Sequence, residues 1–287
     1  MKKNILICLA GFLVCAAKAA TTIDPSHNNA YGANVGWVNF SGDTTHGAVI
    51  GQSFCSGYIY SANCGWISLG DGSPANGQAY SNTSATDFGV NHDGHGNLSG
   101  YAYGANIGWI NFEQTFGNPQ VDLMTGYLSG YIWSANVGWI RLRSSKATFI
   151  RTLTLDEGPD TDADGIPDAW EYAQVNDLKT LGSGDADGDG VSDQDEYRAD
   201  TLPDDPSDYL AITDFQALET TNQITWPVKT TRVYTLEQTT MLNTNISWVA
   251  TSSSFIPTSG PDATETISSV TNATRFYRVK ASPPLTQ

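Results

Sequence analysis

Apolar and polar positions alternate with a period of two over most of the chain, a pattern that predicts strands rather than helices. Four copies of one pattern align: Ala30–Phe40, Tyr58–Leu69, Tyr101–Phe112 and Tyr131–Leu142. Each reads as an aromatic strand, a Gly/Ser-Ala-Asn turn and a Gly-Trp strand. Asn suits such a turn because it tolerates left-handed backbone angles. Val, Ile, Tyr, Trp and Phe on either side favour strands. The steps between the repeated Trp are 29, 43 and 30 residues, so the middle step holds an insertion, placed at Gly70–Thr86. A further strand before some copies, as at Pro119–Leu123, makes each unit a three-stranded meander. Stacked units would bury a shared core, as a solenoid, a prism or a sandwich; the pattern does not choose among them.

The alternation also assigns faces. Val38/Phe40, Ile67/Leu69, Ile110/Phe112 and Ile140/Leu142 share one face of the last strand and form a core. Trp37, Trp66, Trp109 and Trp139 lie on the other face, beside Asn39, Ser68, Asn111 and Arg141. Large aromatics in strands are mostly packing, here as cover for glycine-rich backbone. The alternative is a glycan platform, because aromatic faces combine apolar area with directional contacts.

From Tyr209 onward the chain is β-like again. Strands are expected at Leu210–Phe215, Gln223–Val228, Arg232–Gln238, Ser247–Ser252, Thr264–Val270 and Arg275–Lys280. Short strands at this density predict a β-sandwich of fibronectin III or immunoglobulin type. The runs Ile224-Thr225-Trp226, Val233–Glu237, Ser247-Trp248 and Arg275–Val279 resemble C-terminal modules of secreted and cell-surface bacterial proteins. That resemblance implies an accessory, adhesion or attachment role.

The 30 acids and 14 bases are spread unevenly. Residues 156–208 hold 18 acids and two bases, which accounts for the whole net charge of -16. These acids are patterned. Asp160-x-Asp162-x-Asp164-Gly165-Ile166-Pro167-Asp168-x-x-Glu171 recurs 25 residues later as Asp185-x-Asp187-x-Asp189-Gly190-Val191-Ser192-Asp193-x-x-Glu196. Both match a twelve-residue calcium loop at positions 1, 3, 5, 6, 9 and 12, with the carbonyls of Ile166 and Val191 at position 7. Ca²⁺ is a hard cation that takes six to eight oxygens, so alternate carboxylates converge on it when the loop wraps. The segment resembles the thrombospondin type 3 class of calcium repeats, and less closely dockerin and EF-hand loops. Position 8 departs from the EF-hand, being Pro167 and Ser192, and no helix is expected to lead into Asp160. A short helix is expected at Trp170–Val175. Further acids at Asp200, Asp204, Asp205 and Asp208 are candidate extra ligands that match no pattern.

The N-terminus pairs Lys2-Lys3 with an apolar run, Ile5–Ala17, and an Ala17-Lys18-Ala19 site. This reads as a secretory signal peptide, with cleavage expected after Ala19. Export leaves Cys55 and Cys64 where a disulfide is permitted, and they are a candidate pair. The excess of negative charge argues against nucleic acid or an anionic membrane as partner. No stretch beyond the signal reads as a transmembrane helix.

The expected organisation is thus mainly β: a signal at 1–19, an aromatic repeat module at 20–155, a two-loop calcium segment at 156–208 and a sandwich at 209–287. His92-Asp93-Gly94-His95 invites a metal reading, but Asp-Gly then Gly96-Asn97 is hairpin-turn chemistry. No catalytic motif is found, so the chain is not expected to be an enzyme. The expected role is calcium-stiffened adhesion or display outside the cell, toward a polysaccharide or a cell-surface protein. A carbohydrate-binding module is the alternative, and a polysaccharide-degrading enzyme ranks third.

Overall fold

The computed structural model describes residues 21–42, 45–144, 149–178, 182, 184–242, 246–268 and 274–286. The expected signal peptide lies outside the described residues. Among those described, no helix is long and apolar enough to cross a membrane.

The four sequence copies are four antiparallel hairpins. The first joins β1 (Ile23–Gly32) to β2 (Gly36–Asn39), and the second joins β3 (Gly57–Ser61) to β4 (Gly65–Gly70). A short strand, β5 (Val90–His92), leads into the third hairpin, β6 (Leu98–Gly104) with β7 (Gly108–Phe112). Strands β8 (Gln120–Val121) and β9 (Leu128–Ser129) lead into the fourth, β10 (Tyr131–Ser134) with β11 (Gly138–Arg141). Neighbouring hairpins pair in turn, and β11 returns to β1 through Tyr31 opposite Arg141. The module is therefore a closed eight-stranded barrel, not a solenoid, prism or sandwich. Closure removes the sheet edges that four stacked meanders would expose. The third strand of a unit is present where β5 pairs with β6. In the first unit it comes from the far end of the module, as β12 (Phe149–Thr152) pairs with β1.

An eight-stranded barrel has an interior just wide enough for side chains to fill. Val38/Phe40, Ile67/Leu69, Ile110/Phe112 and Ile140/Leu142 fill it as expected, all buried. The facing strands add Ala30, Ile59, Ala102 and Ile132. Small and large residues alternate around the ring, which fits a limited lumen.

The repeated Asn has a different role from the one expected. Asn34, Asn63, Asn106 and Asn136 are absent from the left-handed region; the glycine two residues on takes it, with φ of 73°, 78°, 70° and 76° at Gly36, Gly65, Gly108 and Gly138. Each Asn instead donates Nδ2–H to a carbonyl of the adjacent hairpin's turn: Asn34 to Val137, Asn63 to Val35, Asn106 to Cys64 and Asn136 to Ile107, at 2.9–3.1 Å. These four bonds form a ring around one end of the barrel. The glycine leaves room for the neighbouring amide: a Cβ at Gly36 would meet Asn63 Nδ2 at 3.0 Å.

After the barrel come two short helices, α1 (Asp168–Gln174) and α2 (Asp193–Ala199), one at the end of each acidic loop. The chain then forms β13 (Asp214–Ala217), β14 (Thr221–Pro227), β15 (Val233–Thr239), β16 (Val249–Ala250), β17 (Asp262–Ser268) and β18 (Phe276–Ser282). Two three-stranded antiparallel sheets, β13-β14-β17 and β16-β15-β18, enclose Ile224, Trp226, Tyr234 and Leu236. The whole chain is mainly β, as the alternation predicts. Ala199 of α2 belongs to the sandwich core, and Ile256 and Leu285 pack on the barrel core. The barrel and sandwich touch rather than being spaced apart.

Candidate metal centre

The two acidic loops share their main hydrogen bonds at the 25-residue interval. In the first, Asp160 Oδ1 accepts from Asp164 N–H and Oδ2 from Gly165 N–H, at 3.2 and 3.0 Å. In the second, Asp185 accepts from Asp189 and Gly190 at 3.1 and 2.9 Å. The position-7 N–H of Ile166 is held by Asp164 Oδ1 at 2.8 Å, and that of Val191 by Asp189 Oδ1 at 2.7 Å. Gly165 and Gly190 take φ of 92° and 96°, the bend expected of them. Position 4 is left-handed as well, in Ala163 (63°) and Gly188 (79°), which the motif alone does not show.

The loops gather their carboxylates. One oxygen each from Asp160, Asp162 and Asp164 lies within 4.8 Å of the others, and the same holds for Asp185, Asp187 and Asp189. Asp168 serves differently: its oxygens accept from the Thr161 N–H and hydroxyl at 2.7 and 2.6 Å and pin the start of the loop. Asp193 accepts from Ala186 N–H at 2.9 Å in the same way. Position 8 is the N-cap of each helix, which explains Ser192, whose Oγ accepts from Asp195 N–H; Pro167 makes no side-chain cap. The helix after the second loop was not legible in sequence.

Glu171 and Glu196 are the decisive side chains. Each is 0% exposed, and neither carboxylate oxygen of either has a hydrogen-bond partner. One inward oxygen of each of Asp164, Asp187 and Asp189 is likewise buried and unpaired. Burial pushes the Glu171 carboxyl up to about 7, and the charges of Asp164 and Asp162 add to it. Burial and then Asp187 and Asp189 push Glu196 up to about 8. Buried polar groups are otherwise nearly always satisfied. Two wholly unpartnered carboxylates and one free oxygen on each of three more, shared between the two loops, are oxygen donors of the kind a hard divalent cation takes. The residues present therefore fit Ca²⁺.

The segment is bolted to both modules. Tyr197 of α2 donates its hydroxyl to Gln52 of the barrel at 3.2 Å. Arg232 of the sandwich is 6% exposed, and its guanidinium donates to the carbonyls of Tyr197 (2.7 Å) and Arg198 (3.1 Å). It also pairs with Asp200 at 3.3 Å. Asp200 accepts from Trp170 Nε1–H of α1 at 2.9 Å and from the Thr231 hydroxyl. Asp208 is taken by Lys229 at 2.8 Å, and Asp205 caps Ser207. Three of the four extra acids proposed as ligands thus serve the junction or a local turn.

The other sequence candidates are placed as follows. Trp37, Trp66, Trp109 and Trp139 are 43–51% exposed on the outer barrel face. They sit on alternate strands of a closed ring, so successive Trp are a quarter turn apart and do not form one flat row. Each packs against a Tyr of the paired strand, at 5.2 Å for Tyr31–Trp37, 4.8 Å for Tyr60–Trp66, 4.9 Å for Tyr103–Trp109 and 6.3 Å for Tyr131–Trp139. Cys55 and Cys64 are buried free thiols, not a disulfide. Strand β3 runs between them, and its length puts them about 15–20 Å apart, beyond the ~7 Å Cα limit for a bridge. Burial pushes the Cys55 thiol up to about 12 and raises Cys64 too, so both behave as small hydrophobes. His92 is buried with both ring nitrogens engaged: Nε2 accepts Gly96 N–H at 3.1 Å, and Nδ1–H donates to Gly51 O at 2.9 Å. It is structural. No family model, curated protein or solved structure matches the chain.

Proposed function

We propose that this is a secreted or cell-surface calcium-binding structural protein of a bacterium, in which two Ca²⁺ ions stiffen the junction between the barrel and the sandwich for adhesion or display. The observation that carries this reading is the pair Glu171 and Glu196, fully buried with both oxygens unpartnered at the last position of each loop. The basic, apolar and Ala-Lys-Ala order of the N-terminus supports export. The ions would be held by Asp160, Asp162, Asp164, the Ile166 carbonyl and Glu171, and by Asp185, Asp187, Asp189, the Val191 carbonyl and Glu196, with Asp168 and Asp193 keeping the loops closed. Calcium supplies positive charge and the last coordination bonds there; it does no chemistry.

Calorimetric titration tests this. Two Ca²⁺ are expected per chain, one in Glu196→Ala and none in the Glu171→Ala/Glu196→Ala double variant, with Mg²⁺ binding far more weakly. A raised carboxyl value means the metal-free fold holds protons that the unfolded chain would release. Metal-free stability from these groups is therefore full below the ordinary Glu range and lost as pH rises through about 7 and then 8. Calcium must displace those protons, so between one and two protons per chain, roughly 1.4, should leave at pH 7 and almost none at pH 9.5. Binding with unchanged stoichiometry in the double variant would reject the site.

A further inference from the structure

The insertion between the second and third copies builds a cleft over one of the four Trp. Residues Asn82, Thr83, Ser84 and Ala85 form one wall, Tyr101 and Trp109 the other, and Phe88 the end, around a cavity of about 420 Å³. Phe88 meets Trp109 edge-on at 5.0 Å, and Tyr101 meets it at 6.0 Å. With Tyr103 at 4.9 Å as well, three rings fix Trp109, which still stays exposed.

The wall is held in place by its own bonds. Asp87 accepts from Ser81 N–H at 3.1 Å and from Ala75 N–H at 3.2 Å. Asn82 is left-handed (φ 56°), with its side chain donating to Tyr80 O and accepting from Gly89 N–H. The Thr83 and Ser84 hydroxyls are exposed; Thr83 Oγ1 meets the Ser81 hydroxyl, and Ser84 Oγ meets the Thr86 hydroxyl and accepts from its N–H at 3.4 Å. A hydroxyl can take part in three hydrogen bonds, so both retain capacity for a ligand.

We propose that this cleft binds a neutral sugar ring of an extracellular polysaccharide. Its lining carries no charged side chain, so no cation is present to hold an anionic ligand. Aromatic faces against apolar C–H groups, with Ser and Thr hydroxyls at the rim, match the two sides of a pyranose. A cavity of this size accepts one or two rings. The site is one walled cleft at Trp109, not a platform of four Trp, and it does not depend on the calcium reading.

The test titrates the full chain, in calcium, with neutral hexasaccharides of glucose, mannose, xylose and galactose and with an acidic hexasaccharide of galacturonate. At least one neutral sugar is expected to bind, with affinity lost at least tenfold in Trp109→Ala and reduced severalfold in Thr83→Ala/Ser84→Ala. Trp37→Ala and Trp139→Ala, equally exposed but outside the cleft, should bind as the native chain does. The double hydroxyl variant keeps the test valid if Trp109→Ala misfolds. No binding by any neutral member at 5 mM, preference for galacturonate, or loss in Trp37→Ala with Trp109→Ala intact would each overturn the assignment. Calcium stoichiometry is measured on the same samples, so failure here is distinct from failure of the metal sites.

Discussion

Ten millimolar calcium is expected to raise the melting temperature of the native chain by about 10–20 °C and to leave the Glu171→Ala/Glu196→Ala variant unmoved. Extracellular calcium modules bind at about 10⁻⁴ M in the tighter part of their range. At a hundredfold excess over that value each ion contributes about 2.7 kcal/mol. Two ions give about 5 kcal/mol, and a chain of this size shifts by about 2–4 °C per kcal/mol. The effect should reach past the loops because Ile166, Trp170 and Tyr197 form one buried cluster between the helices. Ala199, three residues after Glu196, is part of the sandwich core. Melting followed by scanning calorimetry in calcium and in chelator checks this. Equal shifts in native and double-variant chains would show that calcium acts elsewhere.

Arg232→Ala is expected to destabilise the chain by about 3–5 kcal/mol, the usual cost of breaking a buried ion pair from one side. It strips the Arg198 carbonyl of its guanidinium donor, leaves the Tyr197 carbonyl with only the Asp200 N–H, and leaves Asp200 without its cation. Those carbonyls end α2, so the loss falls where the calcium segment meets the sandwich. A second consequence follows from the geometry. Calcium should still bind Arg232→Ala with two ions per chain, but it should no longer stabilise the sandwich. The native single transition would split, with only the earlier part moving with calcium. A variant that melts as the native chain does would mean that the contact contributes little.

The strands were legible because their alternation is local. Val38/Phe40 and their three counterparts mark the barrel's inner face through the period of two alone. Closure was not legible, because it depends on Tyr31 facing Arg141, 110 positions away; nor was the β12 strand that completes the first unit. The four Asn were visible as a repeat, but their reason is a contact between copies, which a single turn cannot reveal. The Cys pair shows the opposite error: neighbours in sequence lie at opposite ends of one strand. The two acidic loops were readable as clusters, since spacing fixes which carboxylates converge: Asp160, Asp162 and Asp164 in one and Asp185, Asp187 and Asp189 in the other. Arg232 was not, because a lone Arg in a strand pattern carries no signal until α2 is docked beside it. Phe88 and the Ser/Thr wall of the cleft were likewise hidden, as the insertion reads only as a polar, Gly-rich loop.

The central claim is that calcium fixes the junction and not the loops alone. Hydrogen exchange of the full chain, with calcium and with chelator, tests it most directly. Calcium is expected to slow exchange across residues 156–208 and also at the contacts around His92–Asn97 and Lys229–Val233, where barrel, helices and sandwich meet. Slowing confined to the two loops, with those contacts exchanging equally in both conditions, would contradict it.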